Sequence, residues 1–196
     1  MGNIRYQTLR GTAIREQLQP LAALRIRVFH EWPYLYEGSS GYEHQYLETY
    51  ARCEQSIAVL AWDGLLCVGA TTALPMRHAE AAMRAPFEQA ALDIDNTLYF
   101  GESVVLGSHR GRGIGVAFFE QREAHARVLG LTRCAFCAVD RPGAHALKPA
   151  DYTANDAFWS RRGYTRQPQL QCSFDWLDRG ESAPTPHQLT YWLRDL

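Results

Sequence analysis

Lysine is nearly missing from this chain of 196 residues, since Lys148 is the only lysine among its 20 basic residues. A Walker A loop, which binds nucleotide phosphates, needs a Gly-Lys pair followed by Ser or Thr, whereas Lys148 lies between leucine and proline. A Schiff-base mechanism would have to use this same side chain. We therefore expect neither a P-loop nucleotidase nor a Schiff-base enzyme.

Long apolar runs and a large net charge are also missing. No stretch approaches the roughly 18 apolar residues of a membrane-spanning helix, and residues 1–7 lack the apolar region of a signal peptide. The net charge of −1 excludes a general electrostatic binder of nucleic acid or of an anionic membrane surface. With five cysteines, which cannot all pair within one chain, these features predict a cytoplasmic protein with reduced thiols and no nucleic-acid or membrane partner.

Two of the cysteines, Cys134 and Cys137, have the spacing of a redox pair or of half a zinc site. Redox pairs lie at the start of a helix, but residues 131–139 have the apolar pattern of a strand. Residues three apart in a strand point to opposite faces of the sheet, so the two sulfur atoms would diverge. His145 and His187 have no metal-ligand spacing either. We interpret both cysteines as small core residues and expect no metal site.

The length favours a single domain over residues 1–196, since a typical domain has roughly 150 residues. The hydrophobic pattern predicts strands at residues 4–9, 56–62, 65–73, 97–106, 131–139, 170–177 and 188–193. It predicts helices at residues 13–30, 42–53, 80–92, 113–129 and 152–162. Hairpins at both ends and a strand–helix–strand unit in the middle indicate an α/β chain with a mixed sheet covered by helices. In the fourth helix, Glu123 and Arg127 are expected to form a solvated pair.

The most informative segment is Arg-Gly-Arg-Gly-Ile-Gly, residues 110–115, where a predicted strand gives way to a predicted helix. Glycines let several backbone N–H groups converge, and the positive end of the helix dipole lies behind them. Such a segment is typical of a site for phosphate or pyrophosphate. The Gly-x-Gly-x-x-Gly fingerprint of dinucleotide-binding folds would need a glycine at position 116, where Val116 stands. An ordinary glycine-rich turn is the alternative interpretation.

Two motifs resemble those of a known family. The Arg-x-x-Gly-x-Gly pattern of residues 110–115 resembles the acetyl-CoA-binding motif of the GCN5-related N-acetyltransferases. The segment Phe-Trp-Ser-Arg-Arg-Gly-Tyr at residues 158–164 is similar to the family's second motif, and the resemblance extends over about residues 56–193. It implies a mixed, mostly antiparallel sheet of six to seven strands with helices on both faces. It also implies an acetyl-CoA-dependent enzyme that transfers the acetyl group to a primary amine of a small molecule by direct attack on the thioester.

The resemblance implies three sets of contacts with the cofactor. Main-chain groups of Val104 and Val105 would pair with the pantetheine arm, where two parallel strands splay apart. Asn155 would bond the pantetheine or the adenine side, or else act only as a helix cap. The N–H groups that would hold the pyrophosphate belong to Arg110, Gly111, Arg112, Gly113, Ile114 and Gly115.

Direct transfer needs a neutral amine, a base for the ammonium proton and stabilisation of the departing thiolate. The resemblance places the base carboxylate at Glu102; a strand-edge glutamate bonded to an arginine is the alternative. The family usually has tyrosine as the acid at the position of Trp159, whose indole has no titratable proton. Tyr152, the nearest phenol upstream in the same predicted helix, is the candidate acid instead. Trp159 also leaves open a non-catalytic acyl-CoA-binding or regulatory module of the same fold.

The acceptor site is expected between the first helices and the loop at residues 140–150, because family members usually build it there. Acidic and aromatic side chains together hold a cationic amine; a hydrophobic wall that closes the sheet is the alternative. The candidates are Phe29, Glu31, Trp32 and Tyr34, with Tyr36 beside them. The implied partner is a small-molecule amine, and a homodimer is left open.

Overall fold

The computed structural model describes residues 3–141 and 143–196. Met1 and Gly2, from the segment considered for a signal peptide, and Pro142, from the 140–150 loop, lie outside the described residues. The strands are β1 (Arg5–Arg10), β2 (Ile57–Asp63), β3 (Leu66–Pro75), β4 (Thr97–Val105), β5 (Arg133–Val139), β6 (Thr165–Trp176) and β7 (Thr185–Asp195). The α-helices are α1 (Leu18–Phe29), α2 (Ser40–Arg52), α3 (Ala81–Gln89), α4 (Ile114–Val128) and α5 (Asp156–Arg161). Short 3-10 helices span Gly11–Gln17, Met76–His78 and Gly107–His109.

The strands form a seven-stranded sheet in the order β1-β2-β3-β4-β5-β7-β6. β4 and β5 are parallel, and the other neighbouring pairs are antiparallel. The predicted β2–β3 hairpin is present: Asp63 pairs with Leu66, and Gly64 has a φ of +60° in the left-handed region. The predicted fold class, an α/β chain with a mixed and mostly antiparallel sheet of six to seven strands, is confirmed.

Helices cover both faces of this sheet, as the contacts of β4 show. Phe100 packs against Phe119 of α4, with ring centroids 5.9 Å apart. The hydroxyl of Tyr99, the preceding residue, donates to the sulfur of Met83 in α3 over 3.2 Å. Because consecutive side chains of a strand point to opposite faces, α4 and α3 lie on opposite sides of the sheet. We refer to these sides as the α4 face and the α3 face.

The remaining helices join one or the other of these faces. Trp159 of α5 packs against Phe136 with ring centroids 5.1 Å apart, and Phe136 in turn contacts Phe119, so α5 lies on the α4 face. Gly101 follows Phe100 and points to the α3 face, where a Cβ atom would lie 2.0 Å from the hydroxyl of Tyr50 in α2. α1 packs against α2. Helices α1, α2 and α3 therefore share the α3 face.

The parallel pair β4–β5 is short and opens into a gap. Its register covers residues 97–99 of β4 and 133–135 of β5. Both strands continue beyond these residues, β4 to Val105 and β5 to Val139. The two strands therefore diverge in the middle of the sheet, and the predicted splay is present.

The predicted and observed boundaries differ most in two helices and in β6, which begins at Thr165 and not at residue 170. The predicted helix at residues 13–30 is a 3-10 helix followed by α1, which begins at Leu18. Pro20 lies in the first turn of α1, where its missing N–H is tolerated; inside a longer helix its ring would clash with the carbonyl four residues earlier. The predicted helix at residues 152–162 begins only at Asp156. Tyr152 therefore lies in the preceding loop, and its predicted place on this helix is wrong.

The cysteines have free thiols: Cys134 and Cys172 are buried in the core, and Cys53, Cys67 and Cys137 pack partly buried against it. Cys134 and Cys137 lie in β5 as predicted, and burial raises the pKa of Cys134 to about 12. Cys137 Sγ lies 3.5 Å from the hydroxyl of Tyr99, on the α3 face. Among the described residues, no group of three or more His, Cys, Asp or Glu side chains could hold a metal ion. None of the described helices has the length and apolar character to cross a membrane.

The prediction that Glu123 and Arg127 of α4 form a solvated pair is wrong for Glu123. Glu123 is only 4% exposed. It accepts hydrogen bonds from the Tyr164 hydroxyl over 3.1 Å and from the Arg194 guanidinium over 2.8 Å, whereas Arg127 is exposed. The sheet-facing side of α4 therefore carries a buried charge whose partners lie far away in the sequence.

Candidate active site

A β-bulge next to the gap orients Glu102. Two residues of β4, Gly101 and Glu102, face the single residue Thr72 of β3. A bulge of this kind breaks the alternation of side chains. Gly101 and Glu102 therefore both point to the α3 face, where Glu102 contacts α1 through Arg25. A side chain at position 101 would collide with Tyr50, so glycine is required there.

Glu102 belongs to a buried charged cluster. Nη1 of Arg25 donates to Oε2 of Glu102 over 2.6 Å, and Nε of Arg25 donates to Glu43 of α2. The Tyr46 hydroxyl also donates to Glu102, over 3.4 Å. Oε1 of Glu102 is buried and has no hydrogen-bond partner among the described residues. Two carboxylates thus share one guanidinium, which leaves an excess negative charge and a free acceptor oxygen beside the gap.

Main-chain groups of β4 face the gap in alternation. The N–H of Leu106 donates to a carbonyl of β3 over 2.9 Å, and Val104 has the same orientation because an antiparallel ladder alternates. Ser103 and Val105 therefore turn their N–H and C=O groups toward the gap. Consistent with this, Nε of Arg110 donates to the Val105 carbonyl over 3.2 Å. Of the two residues predicted to pair with pantetheine, Val105 faces the gap with its main chain and Val104 faces β3.

The glycine-rich loop ends in an open helix terminus. Gly111 and Gly113 have φ values of +74° and +81°, in the left-handed region that glycine adopts without strain. α4 begins after Gly113, and no side chain of the described residues caps it. The first N–H groups of a helix, here from Ile114 and Gly115, have no carbonyl partner within the helix. This terminus has the geometry of an anion site.

Both arginines of the loop are bound to carboxylates. Arg110 donates to Glu31 over 2.8 Å, and both side chains are about half exposed. Arg112 donates to Asp63 in β2 over 3.3 Å. These contacts hold the loop between the end of α1 and the β2–β3 hairpin. The N–H of Arg110 donates to the carbonyl of Gly107 over 3.3 Å, so its predicted availability for the pyrophosphate is wrong.

A cavity of 360 Å³ lies on the α4 face of the gap, and we call it the α4-side cavity. It reaches the bulge at Gly101 and Glu102, and its wall includes Trp32, whose buried indole N–H has no partner among the described residues. Further wall residues are Ser103, Phe119, Arg122, Phe136, Tyr152, Asn155 and Trp159.

A second cavity, of 320 Å³, lies on the α3 face, and we call it the α3-side cavity. Its mouth carries three exposed acidic residues, Glu37, Glu80 and Asp175. The aromatic side chains in its wall are Phe29, Tyr34, Tyr36, Tyr42, Tyr46, Tyr99, Phe174 and Trp176. Phe29, Tyr34, Gly101 and Cys137 line both cavities. The two cavities therefore meet at the gap from opposite faces of the sheet.

The predicted acceptor residues divide between these cavities. Phe29 and Tyr34 line both, Tyr36 lines the α3-side cavity and Trp32 lines the α4-side cavity. Glu31 is not among the wall residues of either cavity, because its carboxylate turns outward to the guanidinium of Arg110.

The candidate acid and the second motif lie on the α4 face. Burial raises the pKa of Tyr152, and the nearby carboxylate of Asp156 adds to this shift. The ring of Tyr152 packs edge-on against Trp32, with centroids 6.0 Å apart. Asn155 is at the N-cap position of α5, but its side chain makes no capping hydrogen bond, so a capping role for the side chain is wrong. Trp159 packs against Trp192 with ring centroids 5.1 Å apart.

A buried ion pair fixes the acceptor segment. Arg141 donates to both carboxylate oxygens of Asp178, over 2.6 and 2.8 Å, and to the carbonyls of Pro33 and Tyr34. The indole N–H of Trp176 donates to Asp178 over 2.9 Å. This clamp ties the segment after α1 to the end of β6 and to the loop after β5, and thereby shapes both cavities.

Several site residues were missed at the sequence level. Arg25, Glu43 and the Arg141–Asp178 pair act through contacts between distant segments, so no local pattern marks them. One signal was available: Tyr42 and Tyr46 lie four residues apart in α2, and this spacing places both phenols on one side of the helix. Both line the α3-side cavity.

Comparison with known proteins relates the chain to solved structures. No protein-family model matches the chain, and no curated protein sequence does. Ribosomal-protein-alanine N-acetyltransferase from Brucella melitensis is similar in structure, with a TM-score of 0.62 and 16% identity over 97% of this chain and 99% of that one. A Desulfovibrio desulfuricans protein described as an acetyltransferase of the GNAT family has a TM-score of 0.58 and 12% identity over 97% and 99%.

A third similar structure contains coenzyme A. It is the PaiA N-acetyltransferase from Thermoplasma acidophilum, solved in complex with coenzyme A, with a TM-score of 0.55 and 10% identity over 99% of both chains. At these identities the similarity concerns the fold. Together with the splayed parallel strands, it shows that the chain has the fold of the GCN5-related N-acetyltransferases.

Proposed function

We propose that this protein is a cytoplasmic, acetyl-CoA-dependent N-acetyltransferase that acetylates a primary amine of a small molecule by direct attack on the thioester. The observation that carries the proposal is the meeting of two cavities at the β4–β5 gap, beside the unpartnered oxygen of Glu102. Cofactor and acceptor can thus approach the same point from opposite faces.

The residues around the α4-side cavity fit acetyl-CoA. Ser103 and Val105 offer main-chain groups along the gap for the amide-containing pantetheine arm. The open N-terminus of α4, from Gly113 onward, offers N–H groups for the pyrophosphate. Arg110 is close enough to the gap to contact the Val105 carbonyl and can exchange Glu31 for a phosphate. Bound acetyl-CoA supplies the activated acetyl group.

The α3-side cavity suits an amine that arrives as a cation. The aromatic wall and the acidic mouth of this cavity attract an ammonium group. Among the described residues that line it, Arg25 is the only arginine or lysine, and it is buried. At the inner end, Arg25 lines the cavity, and the two carboxylates that it binds, Glu43 and Glu102, leave this cluster with an excess negative charge that favours a cation. An amine with an aromatic or apolar body therefore fits better than one that also carries a carboxylate.

Glu102 is the proposed base. Oε2 is held by Arg25, so Oε1 remains to accept the ammonium proton, directly or through a water molecule. The hydroxyl of Tyr46 stays protonated, because burial raises its pKa well above the usual value, and it donates to the other oxygen of Glu102. Tyr152 is the proposed acid for the thiolate, since Trp159 has no proton to give.

Release of free thiol from acetyl-CoA across a panel of primary amines tests this proposal. We expect turnover with an arylalkylamine, much less with the matching amino acid, and none without an amine. Binding of CoA without thiol release for any amine would instead support a non-catalytic acyl-CoA-binding module. That outcome would agree with the absence of a tyrosine at position 159.

A further inference from the structure

Arg122 of α4 is a buried cation that forms no ion pair with a carboxylate of the described residues. It is 1% exposed. Its guanidinium carbon lies 3.9 Å from the ring centroid of Phe100 and 5.0 Å from that of Phe119, and its Nε donates to the carbonyl of Phe118 over 3.2 Å. Its Nη2 is buried and has no hydrogen-bond partner among the described residues.

The two carboxylates whose charge acts on Arg122, Glu102 and Glu123, are paired with other arginines. Glu102 pairs with Arg25, and Glu123 pairs with Arg194. A cation–π contact contributes less than the removal of an ion from water costs. Burial lowers the pKa of Arg122 to about 10, so the group is still charged at neutral pH. The packing alone does not account for a cation in this position.

The place of Arg122 in the fold connects it with the gap. It lines the α4-side cavity together with Gly101 and Glu102, and it covers Phe100, the residue just before the bulge. Glu102 accepts hydrogen bonds from Arg25 of α1 and Tyr46 of α2, on the α3 face. Arg122 belongs to α4, on the opposite face. An unpartnered donor and an unpartnered acceptor thus line the same cavity at the gap, and they are held there from opposite faces of the sheet.

Aminolysis of a thioester needs this pair of groups. The arriving ammonium group first releases one proton to solvent; the neutral amine nitrogen then forms a bond to the carbonyl carbon, and the π electrons of the C=O bond move onto the oxygen. The tetrahedral centre then bears an oxyanion and an ammonium group; the ammonium proton passes to a base, the C=O bond re-forms and the thiolate leaves with the C–S electrons. A fixed donor aimed at the oxyanion lowers the barrier of such a step.

We propose that Nη2 of Arg122 donates a hydrogen bond to the thioester carbonyl oxygen and stabilises the oxyanion, while Glu102, which is held from the opposite face of the sheet, accepts the proton. This inference rests on the proposed acetyltransferase function and adds a catalytic residue to it. Phe100 and Phe119 hold the guanidinium in place without neutralising its charge.

The test compares acetyl-CoA with S-ethyl-CoA, a thioether that has CH₂ in place of the carbonyl, on the wild type and on Arg122→Met. Arg127→Met, an exposed arginine of the same helix, is the matched control. We expect Arg122→Met to lower kcat by about 10²–10³-fold. We also expect the wild type to bind acetyl-CoA about tenfold more tightly than S-ethyl-CoA, and Arg122→Met to lose this preference while it binds S-ethyl-CoA as the wild type does.

Three results would overturn the inference. One is an unchanged kcat in Arg122→Met. Another is an equal loss of affinity for acetyl-CoA and for S-ethyl-CoA in this variant, since a merely structural role would not depend on the carbonyl. A third is tighter binding of succinyl-CoA than of acetyl-CoA by the wild type, lost in Arg122→Met, because the cation would then serve a carboxylate of the acyl group. If Arg122→Met does not fold, Arg122→Lys keeps the charge and should still lose the carbonyl preference. A wild type that binds no CoA refutes the proposed function itself, whereas the ratio of the two ligands tests Arg122 alone.

Discussion

Replacement of Glu102 by glutamine removes a negative charge from the centre of the proposed site and keeps the size of the side chain. Arg25 retains its second partner, Glu43, so the guanidinium keeps a counter-charge. The structural cost is one hydrogen bond to a charged group, about 1.5–3 kcal/mol, reduced because two carboxylates no longer compete for one cation. We therefore expect the free energy of unfolding to fall by no more than about 2 kcal/mol.

The effect on the reaction should be much larger than this structural cost. A glutamine at position 102 cannot accept the ammonium proton, and loss of a general base lowers kcat by on the order of 10²-fold. The affinity for CoA should be nearly unchanged. Thiol release under saturating acetyl-CoA and amine gives kcat, and calorimetry gives the CoA affinity.

Arg25→Met separates the base role from the structural role of this cluster. It leaves two buried carboxylates without a cation, and a broken buried pair costs about 3–5 kcal/mol. Urea unfolding should therefore show a much greater loss of stability for Arg25→Met than for Glu102→Gln. Glu48→Gln is the control, because Glu48 pairs with Arg15 at the surface over 3.1 Å. Neither the stability in urea nor kcat should change in this variant. Wild-type kcat in Glu102→Gln, or equal destabilisation by both variants, would refute this reasoning.

Three further predictions concern the loop, the acid and the clamp. Gly113→Val should weaken CoA binding about tenfold or more by calorimetry, since valine is strained at a φ of +81°; unchanged affinity would exclude this loop as the pyrophosphate site. Tyr152→Phe should lower kcat about tenfold to a hundredfold and abolish the alkaline limb of the pH–rate profile; a retained limb makes Tyr152 a bystander. Burial alone would raise the pKa of Asp178, but the charge of Arg141 outweighs it and the pKa is lowered. The clamp therefore stabilises the fold above about pH 4 and is lost as the pH falls through the lower folded pKa. Asp178→Asn should thus lose stability in urea at pH 7 and differ less from the wild type at pH 3; an equal difference at both values would contradict this.

Local patterns of the sequence sufficed for the elements and for the anion loop. The alternation of apolar residues placed each strand of the sheet, and the glycine spacing at residues 110–115 placed the open end of α4. The predicted start of the first helix was wrong because a single residue, Pro20, decides where α1 begins. The predicted start of the last helix was wrong because the loop before α5 extends to Asn155. Glu102 was selected through the family resemblance, and its environment was not visible in the sequence.

The environment of the site depends on contacts between distant segments. Glu102 is 77 residues from Arg25 along the chain, and a bulge of one residue decides which face of the sheet it points to. Glu123 had the spacing of a surface ion pair, yet tertiary contacts with Arg194 bury it. Periodicity marks the apolar face of a helix such as α4, but it does not show that a buried position on that face holds the cation of Arg122.

The central claim is that cofactor and acceptor meet in the gap between β4 and β5. A crystal structure with CoA tests it most directly. The account predicts the pantetheine arm along the gap, bonded to the main chain of Val105, with the pyrophosphate at the N–H groups of residues 113–115 and the thiol beside Glu102 and Arg122. CoA bound elsewhere, or with its thiol away from the point where the two cavities meet, would contradict the account.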